Sequence, residues 1–330
     1  MQTNYWMLVR NCSVPLVASR SSRGDGEMGS TEPAIAVVGS YNVGLVTEVP
    51  RFPVPGETVT GSTYREVPGG KGSNQAIGAA RLGADAVFIG CVGGDAYAAD
   101  AFDLWDREGV DASAVSQVET HTGVGTVLVD DRGENEIVVV PGANYHLGRE
   151  QVADAADRID DCDVLLVQLE VDDDAVRAAV ETAAECGVDV VLNPAPAREL
   201  PMDVLRNVDY LTPNESEARV LAGLSPDEDV DVGADLLELG VRTVVTTQGG
   251  DGAIVRDADG QTHVPTPTVD VVDTTGAGDA FNAAFAVALA DGASTVEAAR
   301  FGCRAGAVTT TEFDVVPALP TLDDIDTLDD

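Results

Sequence analysis

Short apolar runs rich in valine and leucine alternate with amphipathic stretches through the second half of the chain. This alternation constrains the fold more than any other feature. The runs cover 164–169, 188–192, 210–212 and 243–247, and the stretches cover 173–185, 215–222 and 231–239. Runs that are apolar on both faces read as strands covered on both sides, which implies a mostly parallel sheet with helices on either face. Residues 34–39 and 86–92 repeat the strand pattern, and 75–82 and 97–108 the helical one. Ser294 and Glu297 form a capping-box pair that opens a last helix towards Val308. Two stretches differ. Residues 43–68 alternate apolar with polar residues and are broken by Pro50, Pro53, Pro55 and Gly56, while 124–130 and 136–141 flank the polar turn 131–135 as a hairpin. The expected fold is α/β: a three-layer αβα body with a mostly parallel sheet over 33–322, and a small β-strand lid from about 43–68 and 119–145.

Charge and composition narrow the partners. The net charge is −38 at pH 7, and of 19 basic residues Lys71 alone is a lysine. Such a surface repels nucleic acid and anionic membranes. It suits concentrated salt, where long-range repulsion is screened, so a halophilic setting is expected. Cys12, Cys91, Cys162, Cys186 and Cys303 contain no C-x-x-C pair, and His121, His146 and His263 lack ligand spacing. Neither zinc nor a disulfide framework is indicated. No apolar run is long enough to span a bilayer, and the expected location is the cytoplasm. Residues 1–32, with Trp6, Arg10, Arg20 and Arg23 among Ser and Gly, read as a disordered leader or a mis-called start ahead of Met28. Residues 323–330 read as a solvated acidic tail.

Four segments carry candidate chemistry. In Asp273-Thr274-Thr275-Gly276-Ala277-Gly278-Asp279, a turn joins the valine-rich 269–272, read as a strand, to the apolar 280–290, read as a helix. A helix start offers unpaired N–H groups and the positive end of the peptide dipole, and glycine lets an anion approach. Asp279 then sits beside an anion hole, a pairing that suits phosphoryl transfer: amides take the developing charge and the carboxylate takes a proton from the attacking hydroxyl. The plain alternative is an Asp cap with Gly for the turn. Gly69-Gly70-Lys71-Gly72-Ser73-Asn74 places the single lysine between glycines at a helix start, where Asn74 can donate to and accept from hydroxyls. It is neither a G-x-x-x-x-G-K-[ST] nor a G-x-G-x-x-G loop; the plain alternative is a Gly-rich turn with an exposed Lys. Asn214 and Glu217 share a helix face after a strand, where a carboxylate could order Mg²⁺ and its waters; a capped helix start accounts for them equally. The turn 246–252 could wrap a nucleotide or simply join a hairpin.

Gly39-Ser40-Tyr41-Asn42, Pro55-Gly56-Glu57-Thr58, the 69–74 segment, Asn193-Pro194-Ala195-Pro196-Ala197, Asn214-x-x-Glu217 and the 273–279 turn follow one another in an order that resembles the ribokinase branch of the PfkB-type carbohydrate kinases. The resemblance covers residue 34 to about 320. It implies an ATP-dependent kinase acting on a sugar's terminal hydroxyl, D-ribose to D-ribose 5-phosphate, with Asp279 as general base and Gly276, Ala277 and Gly278 as the anion hole. It further implies sugar contacts at Asn42, Gly70, Lys71, Gly72, Asn74, Glu170 and Asp279. Nucleotide contacts would come from Asn214, Thr247, Gln248, Gly249, Gly250, Asp251, Gly252 and Gly278. Glu217 matches the magnesium-ordering acid; Asp273, Thr275, Thr309, Glu312, Asp314 and Ala318 match a potassium-binding loop that would shape the anion hole from behind.

Three positions depart from that pattern. Gly44 stands where the family usually carries an Asp that grips the sugar's vicinal hydroxyls, and a charged hydrogen bond of that kind contributes about 1.5–3 kcal/mol. Asp314 replaces a frequent glycine in the late cation loop, and Cys303 a polar residue beside the adenine. The alternatives are a kinase for a nucleoside or keto sugar, for which Gly44 leaves space, a non-catalytic sugar-binding sensor, or a nicotinamide-dependent dehydrogenase, which the missing fingerprint disfavours. An exposed lid edge is expected to pair with its twin in a homodimer.

Overall fold

The structure, a computed structural model, describes residues 32–228 and 230–328. All but Glu32 of the expected leader, and the last two residues of the acidic end, lie outside them. The strands are β1 (Ala34–Val38), β2 (Asn42–Val49), β3 (Thr63–Gly69), β4 (Asp85–Gly93), β5 (Asp111–Val118), β6 (Gly123–Asp130), β7 (Asn135–Val140), β8 (Val164–Val167), β9 (Asp189–Leu192), β10 (Tyr210–Leu211), β11 (Thr243–Thr247), β12 (Ala253–Asp257) and β13 (Gly260–Val264). A nine-stranded sheet runs β13-β12-β11-β10-β9-β8-β1-β4-β5. It is parallel from β5 to β11; β12 runs against these strands, and β13, antiparallel to β12, returns to their direction. The chain leaves β1 for β4 and β5 on one side, then returns to β8 on the other. Strand order therefore reverses between β1 and β8, which opens a crevice beyond their carboxyl ends.

Alternate residues of β1 serve the two faces. Ile35 and Val37 join Ile77, Trp105, Phe281 and Phe285 beneath the helices Lys71–Arg81, Ala96–Glu108, Ala277–Ala290 and Thr295–Thr309. Ala36 and Val38 join Val152, Val176 and Leu211 on the face covered by Asp173–Cys186. That is the three-layer body the sequence implies. Trp105 centres the first face, with ring centroids of Tyr41, Phe88 and Phe102 at 5.2, 5.0 and 5.5 Å. Its indole N–H donates to the Ser73 hydroxyl at 2.9 Å, both residues being buried. The second sheet, β3-β2-β6-β7, is the expected lid. Its edge strand β7 leaves Ile137, Val138, Val139 and Val140 exposed.

Several elements differ from expectation. Residues 269–272 form no strand: no strand among the described residues pairs with them, and Val271 and Val272 are exposed. A β-branched run without a neighbouring edge has propensity but no ladder. The helices begin earlier than their apolar runs, at Lys71 and Ala277. Residues 323–326, expected in a solvated tail, belong to the helix Leu322–Asp326 capped by Thr321. Buried Ile325 anchors it, and Arg304 donates to the carbonyls of Ile325 (2.9 Å) and Leu328 (3.0 Å). No helix among the described residues is long and apolar enough to cross a membrane.

The Ser73–Trp105 pair gives a direct test of the packing. Ser73→Ala strands a buried indole N–H, so urea unfolding is expected to show a loss of about 1–3 kcal/mol. An unchanged midpoint and slope would remove that bond from the fold's energetics.

Candidate active site

The site grows from the carboxyl ends of β1, β8, β9, β10 and β11. Ser40 and Asn42 follow β1, Glu170 follows β8, Asn193 follows β9, Asn214 follows β10 and Thr247 ends β11. Lid strand β3 then delivers the chain directly into the helix Lys71–Arg81, whose first turn lies hard against the end of β1. A Cβ at Gly72 would sit 2.5 Å from the Ser40 nitrogen and 2.7 Å from Gly39. Gly70 has φ 92°, and a Cβ there would come within 2.7 Å of the Asn42 nitrogen. Only glycine permits this approach. It leaves Ser73 N donating to Ser40 O at 2.9 Å and Lys71 N donating to Glu170 Oε2 at 3.1 Å. Glu170 Oε2 also accepts from the Ser40 hydroxyl (2.5 Å) and from Asn42 Nδ2 (3.4 Å). A carboxylate thus sits on a helix N-terminus at the switch point, where the peptide dipole favours negative charge.

Asp279 lies in the first turn of the facing helix, Ala277–Ala290, and is 6% exposed. Its Oδ2 accepts from Asn74 Nδ2 at 2.8 Å and its Oδ1 from Gln75 Nε2 at 3.0 Å. The Asp279 carboxylate therefore faces the Lys71 turn. Its charge raises the Lys71 ammonium above its ordinary value against the opposing effect of burial, with Glu170 and Glu217 adding. Burial raises the Glu217 carboxyl; the Asn214 N–H bond and Lys71 oppose that, and Asp279 adds to it. Lys71, Asp279, Glu170 and Glu217 thus share one electrostatic neighbourhood.

The turn before Asp279 is shaped by its glycines. Gly276 has φ 83°, and a Cβ there would meet Val315 at 2.5 Å; nothing lies within 4 Å of a Cβ at Gly278. Ala277 N is used by the turn, donating to Thr274 O at 3.3 Å. The N–H groups of Gly276, Gly278 and Asp279 have no partner among the described residues, as the start of a helix requires. Unpartnered main-chain amides are thereby available at Gly276 and Gly278, while the Ala277 amide closes the turn.

Asn214 and Glu217 form a reciprocal cap: Asn214 Oδ1 accepts from Glu217 N and Glu217 Oε2 from Asn214 N, both at 2.8 Å. The capped-helix reading of these residues holds, and Glu217 also lies within electrostatic reach of Lys71 and Asp279. No group of three or more His, Cys, Asp or Glu among the described residues is arranged to hold a metal. A magnesium ion would therefore be carried largely by phosphates and water, with Glu217 as an outer partner, the usual mode for this ion. The turn after β11 joins antiparallel strands β11 and β12, so the hairpin reading holds too. Gln248 N donates to Gly252 O at 2.7 Å, and Gln248 Nε2 to Glu215 Oε1 at 3.2 Å. Gly249 and Gly250 face open space, whereas a Cβ at Gly252 would strike Val264 O at 2.1 Å; Asp251 lies in the turn between them.

The remaining expected residues fall in two places. Asp273 Oδ1 accepts from Thr275 N (2.9 Å) and the Thr275 hydroxyl (2.7 Å), and the N–H groups of Val272 and Asp273 both donate to Thr310 O. The 273–275 and 309–314 segments are therefore stitched together behind the anion turn, with Thr309 and Ala318 buried, Glu312 exposed, and Asp314 at φ 62° paired to lid residue Arg65 at 3.2 Å. Cys303 is a core residue: it is 5% exposed, its thiol is pushed up to about 12 by burial, and its sulfur lies 4.0 Å from Val264 O. Gly44 does not leave open space, since the Val67 methyl lies 2.8 Å from where its Cβ would be. Gln75, which donates to Asp279, Gln168 and Asn193, which bond to Gln75, and Asn282, which donates to Gly278 O, are all buried and were not among the expected site residues. Asn193 opens the Asn-Pro-Ala-Pro-Ala segment, and the other three carry only the signal of an amide side chain close to a motif position.

Comparison with known proteins agrees with this geometry. Residues 32–322 match the pfkB family carbohydrate kinases. The chain is 40% identical over 291 residues to the ribokinase of Haemophilus influenzae, covering 87% of this chain and 95% of that protein. It is 37% identical over 295 residues to the Bacillus subtilis ribokinase, covering 89% and 98%. The structure of Arabidopsis thaliana ribokinase complexed with ribose and ATP superposes with a TM-score of 0.84 at 30% identity, covering 89% of this chain and 98% of that one. With its crevice at the β1–β8 switch point and a buried carboxylate in the first turn of the helix Ala277–Ala290, the chain belongs to the pfkB family of carbohydrate kinases.

Proposed function

We propose that the chain transfers the γ-phosphoryl group of ATP to the terminal hydroxyl of D-ribose, giving D-ribose 5-phosphate and ADP. The observation that carries the reading is the convergence of buried Asp279, the free amides of its own helix start, and the Asn74–Lys71 turn on one crevice. The similarity to ribokinases, including one solved with ribose and ATP, supports ribose as the acceptor. In the reaction, Asp279 takes the proton of the sugar hydroxyl while the hydroxyl oxygen bonds to the γ-phosphorus. The bond from that phosphorus to the β–γ bridging oxygen breaks, and ADP leaves with the electron pair. The Gly276 and Gly278 amides take negative charge on the moving group, and Lys71 offsets charge beside it. Asn42, Asn74 and Glu170 hold the sugar, with Gly70 and Gly72 lending backbone. Asn214 and the open glycines of the 247–252 turn hold the nucleotide. Magnesium, ordered by Glu217, would neutralise phosphate charge. A nucleoside or keto sugar is the alternative acceptor, but the Val67 methyl beside Gly44 favours a small pentose.

Three further features belong to this proposal: a potassium ion in the loop of 273–275 and 309–318, a salt-rich cytoplasm, and a homodimer. The acidic surface favours the second, and the exposed apolar edge β7 the third, because an unpaired edge is a template for another strand.

Asp279→Asn is expected to bind ribose and ATP with near-normal dissociation constants and to lose at least about 10³-fold in kcat; near-normal turnover would remove Asp279 as the base. Replacing K⁺ with choline at fixed ionic strength is expected to slow the enzyme, and lowering ionic strength at fixed K⁺ to inactivate it. Equal rates in the first arm refute the cation, and full activity in the second refutes the salt requirement. Val138→Lys on β7 is expected to convert a sedimenting dimer into a monomer. A wild-type chain that sediments as a monomer at micromolar concentration sinks the lid-edge dimer.

A further inference from the structure

We propose that Gln75 is the positioning residue of the reaction, the side chain that fixes which way the Asp279 carboxylate faces. Gln75 is 0% exposed, so it cannot touch an acceptor and can act only through its neighbours. Its orientation is set without ambiguity by a backbone group at the end of β10. Thr212 O can only accept, so the nitrogen of Asn193 faces it (3.3 Å) and the oxygen of Asn193 faces Gln75. Gln75 Nε2 then meets two acceptors, Asn193 Oδ1 at 3.2 Å and Asp279 Oδ1 at 3.0 Å, and has one hydrogen for each. Its oxygen, on the other side, accepts from buried Gln168 Nε2. Flipped, the Gln75 amide would set its oxygen against the oxygens of Asn193 and Asp279, so only the stated orientation lets Gln75 donate to both.

The same strand end reaches Asp279 by a second route. The Thr212 hydroxyl lies 2.5 Å from Asn282 Oδ1, and Asn282 Nδ2 donates at 2.8 Å to Gly278 O, the carbonyl of the peptide leading into Asp279. Backbone and carboxylate of Asp279 are thus referenced to one residue, Thr212, through two neutral amide arms. Gln168 in turn fits only because residue 39 is glycine: a Cβ there would lie 2.1 Å from Gln168 Oε1. With Oδ1 held by Gln75, Oδ2, shared with Asn74, is the oxygen left for the acceptor hydroxyl. A carboxylate displaced by about 1 Å from its attack geometry loses on the order of 10²-fold in rate.

The inference rests on Asp279 being the base, and the experiment separates the two. Gln75→Met fills the space without donating, and Gln75→Glu keeps the shape but sets a second carboxyl against Asp279. Both are expected to lower kcat about 10- to 100-fold, with ribose and ATP dissociation constants by calorimetry within about threefold of the parent. Asp279→Asn is measured in parallel. If Asp279→Asn loses turnover while Gln75→Met keeps kcat within about twofold, positioning fails and the base stands. Should Asp279→Asn keep turnover, the base reading fails and takes the positioning role with it. Binding lost in parallel with kcat, or both Gln75 variants losing a cooperative melt, assigns Gln75 to packing alone and overturns the proposal.

Discussion

Everything in the crevice depends on one close approach of main chain to main chain, the first turn of Lys71–Arg81 against the end of β1. Gly72 stands where a Cβ would lie 2.5 Å from Ser40 N, a distance no side chain tolerates. Because the two backbones touch, three consequences follow in sequence. Lys71 N reaches Glu170, Asn74 and Gln75 come within hydrogen-bond distance of Asp279, and Ser73 takes the indole N–H of Trp105. One contact therefore couples the Lys71 turn, the proposed base and the aromatic core of one sheet face. The small residues continue down the helix pair: a Cβ at Gly78 would lie 2.9 Å from that of Ala283. The helices that carry Asn74 and Asp279 are held at a separation only small side chains allow, and the polar contacts at their starts follow from it.

The buried carboxylate is satisfied by neutral donors, and the magnitudes show why that matters. At an effective dielectric of about 20, a charge pair 4 Å apart interacts by about 4 kcal/mol, whereas a neutral donor to a charged group contributes about 1.5–3 kcal/mol. A lysine locked onto Asp279 would compete with the proton that a base must accept. Two amides instead fix direction at a smaller energy, and Lys71 acts on the same region as a through-space charge. The single lysine of a chain with net charge −38 is thus placed among Asp279, Glu170 and Glu217, whose charges hold its ammonium above the ordinary value.

Legibility in the sequence followed burial and chemistry. Strands covered on both faces announced themselves as apolar runs. The turns around Lys71 and Asp279 were readable because glycines beside a charged residue at a helix start mark a close backbone approach and a site for an anion. β5 is hard to read because its sequence, Asp111–Val118, breaks its few valines with alanine, serine, Asp111 and Gln117; it pairs only at the sheet's edge. The valines of 269–272 misled in the opposite sense, since strand propensity says nothing about whether a partner edge is present. Ile325 turned an acidic end into a docked helix through a single buried side chain. The amide brace around Asp279 was the least visible part. Gln75, Gln168, Asn193 and Asn282 are residue types that usually face water, and only the tertiary arrangement reveals that all four are buried.

Asp314 shows how far packing can override a local preference. Its φ of 62° and ψ of 157° lie in a region that is essentially glycine's, at a strain of about 1–3 kcal/mol. The ion pair to Arg65 at 3.2 Å joins partly exposed side chains, and such pairs contribute about 0–1 kcal/mol, too little to hold the backbone there. What remains is the stitching of the loop. Thr310 O accepts from both Val272 N and Asp273 N, and Val315 fills the space that a side chain at Gly276 would need. The strained residue and the anion turn are therefore two sides of one packed unit. A change in the 309–315 segment reaches Gly276 by contact, so the loop behind the turn and the amides in front of it must take their shape together.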